Sequence, residues 1–132
     1  METVQQSKSA FSVLVVEDDR TALDALCIMI KIKLPDFTVY TAQDGRSGID
    51  VFRKHTPDVV VTDVNMPVMN GMEMAEEIKF IKPDTKFIVL TAYNEKVFFE
   101  KFKKIGCSAF IVKPVEFRKL IAAIERCVAE LC

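Results

Sequence analysis

The chain has 132 residues, half of them hydrophobic and 28% charged, which fits one globular domain with its own core and excludes a disordered or low-complexity chain. Its 18 Lys and Arg stand against 19 Asp and Glu, a formal net charge of −1, so no overall positive field exists to bind nucleic acid without regard to sequence. No apolar run approaches the ~18–20 residues of a membrane helix, and the polar residues 1–9 lack the apolar stretch of a signal peptide.

Short apolar runs alternate with helical patterns five times. Residues 11–16 (FSVLVV) form the first strand-like run. A helix follows over 20–33, with apolar residues at 22, 23, 26, 29, 30 and 34 on a 3.6-residue period. Asp19 suits its N-cap, and Leu34-Pro35 stops it, because a residue before proline is pushed out of the helical region. Residues 38–42 form a short strand, Asp44-Gly45 a turn, and a second helix runs to about His55. Residues 58–63 (DVVVTD) carry β-branched residues in a row, the mark of a strand buried on both faces. A loop over 64–71 leads into a helix over 71–81 that stops before Pro83. A fourth strand (86–91), a fourth helix (94–105) and a fifth strand (109–112) come next. The last helix spans 116–131, and Gly106 suits the C-cap of the fourth.

All five prolines fall between elements. Strand–helix alternation with continuously apolar strands implies right-handed βαβ units and a parallel sheet with helices on both faces. The expected fold class is α/β: a flavodoxin-like (βα)5 three-layer sandwich whose five-stranded parallel sheet has the order 2-1-3-4-5. Residues 1–10 are expected to be a disordered tail and 11–132 the folded domain. Four cysteines occur, none in a C-x-x-C pair, and His55 is the single histidine. No zinc site is therefore expected. Without a secretory signal the cysteines read as reduced and the protein as cytoplasmic. Cys27 and Cys127 read as small buried hydrophobes, Cys132 as an exposed thiol and His55 as a surface residue. Met66, Met69, Met72 and Met74 read as adaptable packing.

In an open α/β sheet the site lies beyond the carboxyl ends of the strands. There the sequence places Glu17-Asp18-Asp19, Asp63, Thr91 and Lys113, after strands 1, 3, 4 and 5 in turn. Carboxylates gathered this closely repel unless a cation sits among them. An all-oxygen set suits a hard divalent ion, Mg²⁺ above all. A divalent ion, a lysine and a hydroxyl around a carboxylate would stabilise a phosphoryl group arriving there, and an Asp is able to act as the nucleophile. Asp19 is set apart as a cap, and Asp58 and Asp84 read as turn residues.

The runs Val15-Val16-Glu17-Asp18, then 61–71 (VTDVNMPVMNG), then Leu90-Thr91-Ala92, then Phe110-Ile111-Val112-Lys113-Pro114 resemble the receiver (CheY-like) domain of two-component response regulators. The likeness covers residues 11–131. It implies that Asp63 accepts the phosphoryl group. It implies a Mg²⁺ (or Mn²⁺) held by Asp18, Asp63 and the main-chain carbonyl of Asn65, with Glu17 acting directly or through water. Lys113 and Thr91 would contact the phosphoryl oxygens, Lys113-Pro114 would be cis, and Phe110 would be an aromatic switch that turns inward when Thr91 moves. Asn65 and Tyr93 would tune the lifetime of the phosphoryl group.

The implied donor is a phosphohistidine on a sensor histidine kinase or histidine phosphotransfer protein. The implied readers are a downstream effector domain or protein, or a homodimer formed on phosphorylation, engaging the helix 4–strand 5–helix 5 face. Val97, Phe98, Phe102 and Ile105 share one side of helix 4 and read as core. Phe99, off that stripe, joins Lys101, Lys104 and Arg118 as candidate output-face residues, with Lys103 and Lys119 completing a basic rim. The chain is thus expected to be a signalling domain that catalyses only its own phosphorylation and dephosphorylation. The alternative is a Mg²⁺-dependent aspartyl phosphatase of the haloacid-dehalogenase type. That class needs Asp-x-Asp, whereas Asp63-Val64-Asn65 puts an amide where the general acid belongs. A flavin mononucleotide binder would want a Ser/Thr/Gly-rich loop after strand 1, and Glu17-Asp18-Asp19 would repel its phosphate. An inert interaction module is the last alternative, and retention of the whole acidic, Thr and Lys set opposes it. Both a stand-alone regulator and a receiver cut from a larger regulator or hybrid kinase are compatible with these boundaries.

Overall fold

The computed structural model describes residues 11–92 and 98–131. The expected tail over 1–10, the first residues of the predicted fourth helix, Tyr93, Val97 and Cys132 lie outside the described residues. In chain order the elements are β1 (Ser12–Val16), α1 (Arg20–Lys33), β2 (Thr38–Ala42), α2 (Gly45–His55), β3 (Val59–Asp63), α3 (Gly71–Ile81), β4 (Lys86–Thr91), α4 (Phe99–Ile105), β5 (Ala109–Val112) and α5 (Phe117–Ala129). All strand pairs are parallel, and the sheet order is β2-β1-β3-β4-β5. This is the flavodoxin-like three-layer sandwich that the alternation predicts.

The strand period of two divides the core between the two sheet faces. Val13, Val15, Val59, Val61, Ile88 and Leu90 point to one face, where Leu26 and Ile30 of α1 and Leu120 and Ile124 of α5 cover them. Leu14, Val16, Val60, Phe87 and Val89 point to the other, beneath Phe52 of α2, Met74 and Ile78 of α3 and Phe102 of α4. Burial on both faces is why these strands are continuous apolar runs rather than alternating ones. Cys27 and Cys127 are buried in the first layer, as small hydrophobes. Burial pushes the half-buried Cys107 thiol up to about 11, so it stays protonated. Met74 is wholly buried, and Met66, Met69 and Met72 pack half-buried around it. His55 is exposed and stacks on Tyr40, ring centroids 4.1 Å apart.

Helix ends follow the capping chemistry. The Asp19 carboxylate accepts the Ala22 N–H at 2.9 Å, and Asp44 accepts the Ser47 N–H at 2.8 Å. Gly106 ends α4 in the left-handed region at φ 102°, which costs glycine nothing. Boundaries shift from expectation at several element ends, the last helix closing at Ala129 rather than 131. β3 starts at Val59 because Asp58 faces sideways, its carboxylate accepting the Ser12 N–H at 2.9 Å and tying it to the entry of β1. β1 correspondingly starts at Ser12. α5 starts at Phe117, with Glu116 as an N-cap that makes no side-chain cap bond. Among the described residues no helix is long and apolar enough to cross a membrane.

Candidate functional site

Register brings the strand ends together. Val16 pairs with Thr62, Asp63 with Leu90, and Thr91 with Val112, so the residues that follow β1, β3, β4 and β5 share one edge. Asp63, the last residue of β3, is only 6% exposed. Its backbone carbonyl is fixed twice over. The buried Thr62 hydroxyl donates to it at 2.9 Å. Gly71, whose N–H donates to the Val64 carbonyl at 2.9 Å, comes so close that a Cβ there would fall on the Asp63 carbonyl oxygen. Only a residue without a Cβ permits that approach.

Lys113 reaches in from beyond β5, across a cis bond to Pro114. Its ammonium lies 2.7 Å from the Asp63 carboxylate and 3.6 Å from that of Glu17. Burial alone would lower the Lys113 pKa, but the hydrogen bond and charge of Asp63, with Glu17 behind it, outweigh this and raise it. Lys113 is therefore a fixed positive charge at neutral pH. Glu17 is 3% exposed and accepts the Asp19 N–H at 3.0 Å. Burial raises its carboxyl to about 7, with the neighbouring Asp63 charge adding to the rise and the Asp19 N–H and Lys113 opposing it. The ammonium sits closer to Asp63, so Glu17 is the member left poorly compensated.

Oxygens of Glu17, Asp18 and Asp63 all lie within 4.8 Å of one another. Asp18 is exposed at the rim while the other two are buried. A hard, all-oxygen donor set with one open side suits a divalent cation that keeps several waters. Such a cation would also relieve the repulsion that raises Glu17. Asn65 is exposed two residues past Asp63. Thr91 is buried at the end of β4, its hydroxyl donating to the Ala92 carbonyl at 3.1 Å.

The remaining predicted residues are more scattered. Phe110 is half-buried on β5, its ring 4.7 Å from that of Phe99 and 6.1 Å, edge-on, from that of Phe102. Phe99 therefore packs inward on Phe110. Lys101 and Lys104 are exposed on α4. Arg118 shares a cavity of about 300 Å³ with Lys33 of α1, and its neighbour Lys119 is the one beside Phe110 and Val112. Sequence reasoning missed Thr62, Gly71 and Asn70. Asn70 caps α3 by accepting the Glu73 N–H at 2.9 Å, while Glu73 accepts the Asn70 N–H at 3.2 Å. The Asn-x-x-Glu spacing is a readable signature of this capping box. Thr62 and Gly71 leave no such trace.

Comparison with known proteins agrees with this geometry. The chain is 34% identical over 119 residues to the transcriptional regulatory protein PdtaR of Mycobacterium tuberculosis, covering 89% of this chain and 56% of that protein. It is 29% identical over 122 residues to YesN of Bacillus subtilis, an uncharacterized transcriptional regulatory protein, covering 92% of this chain and 33% of that one. The chain thus spans only about a third to a half of the length of these relatives. A response regulator receiver domain from Clostridium thermocellum superposes with a TM-score of 0.86 at 30% identity, covering 91% of this chain and 95% of that one. The model of the response regulator receiver domain matches residues 13–125. Strand order, the acidic edge and the run of matched residues lead to one assignment, and the chain belongs to the receiver domains of two-component response regulators.

Proposed function

We propose that this domain is a phosphorylation-dependent switch in which Asp63 accepts a phosphoryl group. The observation that carries this reading is the pairing of a buried carboxylate with the Lys113 ammonium at 2.7 Å, beside the Glu17 and Asp18 oxygens. Asp18, Asp63 and the main-chain carbonyl of Asn65 would hold Mg²⁺ or Mn²⁺, with Glu17 acting directly or through water. The ion, when bound, supplies Lewis acidity toward the phosphoryl oxygens.

The donor is a phosphohistidine on a partner kinase or phosphotransfer protein. An Asp63 carboxylate oxygen attacks phosphorus in line, the P–N bond breaks as the P–O bond forms, and the leaving imidazole takes up a proton. Lys113 neutralises charge on the transferring group and remains as its counter-ion. The Thr91 hydroxyl turns from Ala92 toward the new oxygens, and Phe110 follows, biasing a two-state equilibrium. An effector domain, an effector protein or a second copy would read the change on the face of α4, β5 and α5, where Lys101, Lys104 and, in place of Arg118, Lys119 offer charge. The domain acts only on itself, and its setting is the cytoplasm. The phosphatase alternative finds no support, since Asn65 holds the general-acid position and the acceptor ends the third strand rather than following the first.

Incubation with acetyl phosphate and Mg²⁺, followed by intact mass, tests the reading. One phosphoryl group should be gained, and EDTA or Asp63→Ala should abolish the gain. An unmodified wild-type chain overturns it.

A further inference from the structure

We propose that Phe99 is a positioning residue, a ring that clasps Phe110 in its resting place and so sets how readily Asp63 is modified. The inference rests on the phosphoryl-acceptor reading above. Phe110 faces the α4 side of the sheet and pairs with Val89. Thr91, two residues on from Val89, projects from the same face of the adjacent strand, so it is the diagonal neighbour of Phe110. A ring that swings toward Thr91 leaves whatever it now touches.

Among the described residues, two rings hold Phe110. Phe102 is wholly buried and meets it edge-on at 6.1 Å, a wall fixed by the core. Phe99 lies nearer, at 4.7 Å with an interplanar angle of 40°. It opens a helix of seven residues whose N-cap, Phe98, makes no side-chain cap bond. The first turn of α4 thus lacks one of the usual anchors, and the Phe110 ring supplies a contact in its place. The pair is therefore a two-way device. Phe99 favours the resting ring position, and departure of Phe110 loosens the first turn of α4.

The test uses the whole chain with Mg²⁺ and beryllofluoride, a phosphoryl mimic for Asp63. An offset aromatic pair contributes enough that Phe99→Ala should tighten beryllofluoride binding by about twofold to tenfold, with Mg²⁺ affinity unchanged. Phe99→Leu, which keeps apolar bulk, should fall between and guards against a folding defect. A merely structural loss would weaken binding, the opposite sign. In chains labelled with fluorophenylalanine, the Phe110 resonance, assigned through Phe110→Leu, should shift in Phe99→Ala before any ligand is added. In a Phe110→Leu background the effect of Phe99→Ala on binding should vanish. A wild-type chain that binds beryllofluoride, together with Phe99 variants of unchanged affinity and an unmoved Phe110 resonance, overturns the clasp alone. A wild type that binds none overturns the phosphoryl-acceptor reading, and the clasp falls with it.

Discussion

Glu17 carries an energetic consequence for the unliganded domain. Its carboxyl rises from the ordinary 4.5 to about 7 on folding, chiefly through burial. The folded chain then holds a proton that the unfolded chain has released between those two pH values. Stability accordingly declines as pH rises from about 4.5 to about 7 and levels off above, with on the order of 3 kcal/mol at stake. Urea unfolding in EDTA should show this slope for the wild type and lose it in Glu17→Gln, and Mg²⁺ should flatten it by stabilising the carboxylate. Equal slopes in wild type and variant would remove Glu17 from the account. Gly71 makes a second case. Its missing Cβ leaves room for the Asp63 carbonyl, so Gly71→Ala forces the loop off β3. The expected cost is about 1–3 kcal/mol, as for other overpacked sites, with a loss of phosphoryl uptake. Val68 is the inverse case. This β-branched residue is 77% exposed and sits at φ 70°, where such side chains are strained. Val68→Gly should relieve that strain and stabilise the fold by on the order of 1 kcal/mol, read as a higher midpoint of denaturation.

At the scale of elements, α3 fixes the loop that follows Asp63. Its capping box pairs Asn70 with Glu73, so Asn70→Ala should cost about 0.5–2 kcal/mol, read as a lower urea midpoint with unchanged m-value. The strands were legible because burial on both faces demands consecutive apolar residues such as Val59, Val60 and Val61. The start of α1 was legible because Asp19 is a short polar residue just ahead of a periodic segment, whereas Asp44 reads as a turn and the Asn70 cap was missed. The acidic edge was legible for a topological reason, since parallel strands deliver their carboxyl ends to one side. What escaped depends on tertiary approach. Phe99 breaks the apolar stripe of its helix and reads as a surface ring, yet β5 places Phe110 beneath it. Asp58 reads as a turn residue at the head of a strand, yet its carboxylate turns to Ser12, forty-six residues away in sequence. Nothing local in the chain encodes either contact. Arg118 and Lys119 are consecutive, and a helix rotates neighbours by about 100°. Arg118 therefore turns toward α1 while Lys119 faces β5.

For the whole molecule, the site joins strand ends whose stability is global, because β1 and β3 pair in the middle of the sheet. A ligand held by Glu17, Asp18 and Asp63 needs β1 and β3 assembled, so it binds the folded chain and not the unfolded one. Mass action then converts cation binding into stability, about 2.7 kcal/mol when the ion stands at 100 times its dissociation constant. For a domain of 132 residues that corresponds to a rise in melting temperature of roughly 10 °C. Two adjacent carboxylates separate this effect from ordinary helix stability. Asp18 contributes an oxygen to the cluster and is exposed at its rim, whereas Asp19 spends its carboxylate on the Ala22 N–H. Asp18→Ala should leave the metal-free melting temperature nearly unchanged, since it removes a repelling charge and only the exposed hydrogen bond it shares with the neighbouring Glu17 carboxyl, and it should abolish the rise with Mg²⁺. Asp19→Ala should lower the metal-free melting temperature by the value of a lost cap, about 1 kcal/mol, and keep the full rise. A Mg²⁺ titration of thermal unfolding on the three chains decides the matter. If Asp18→Ala keeps the Mg²⁺ response, the cation is not held at this edge.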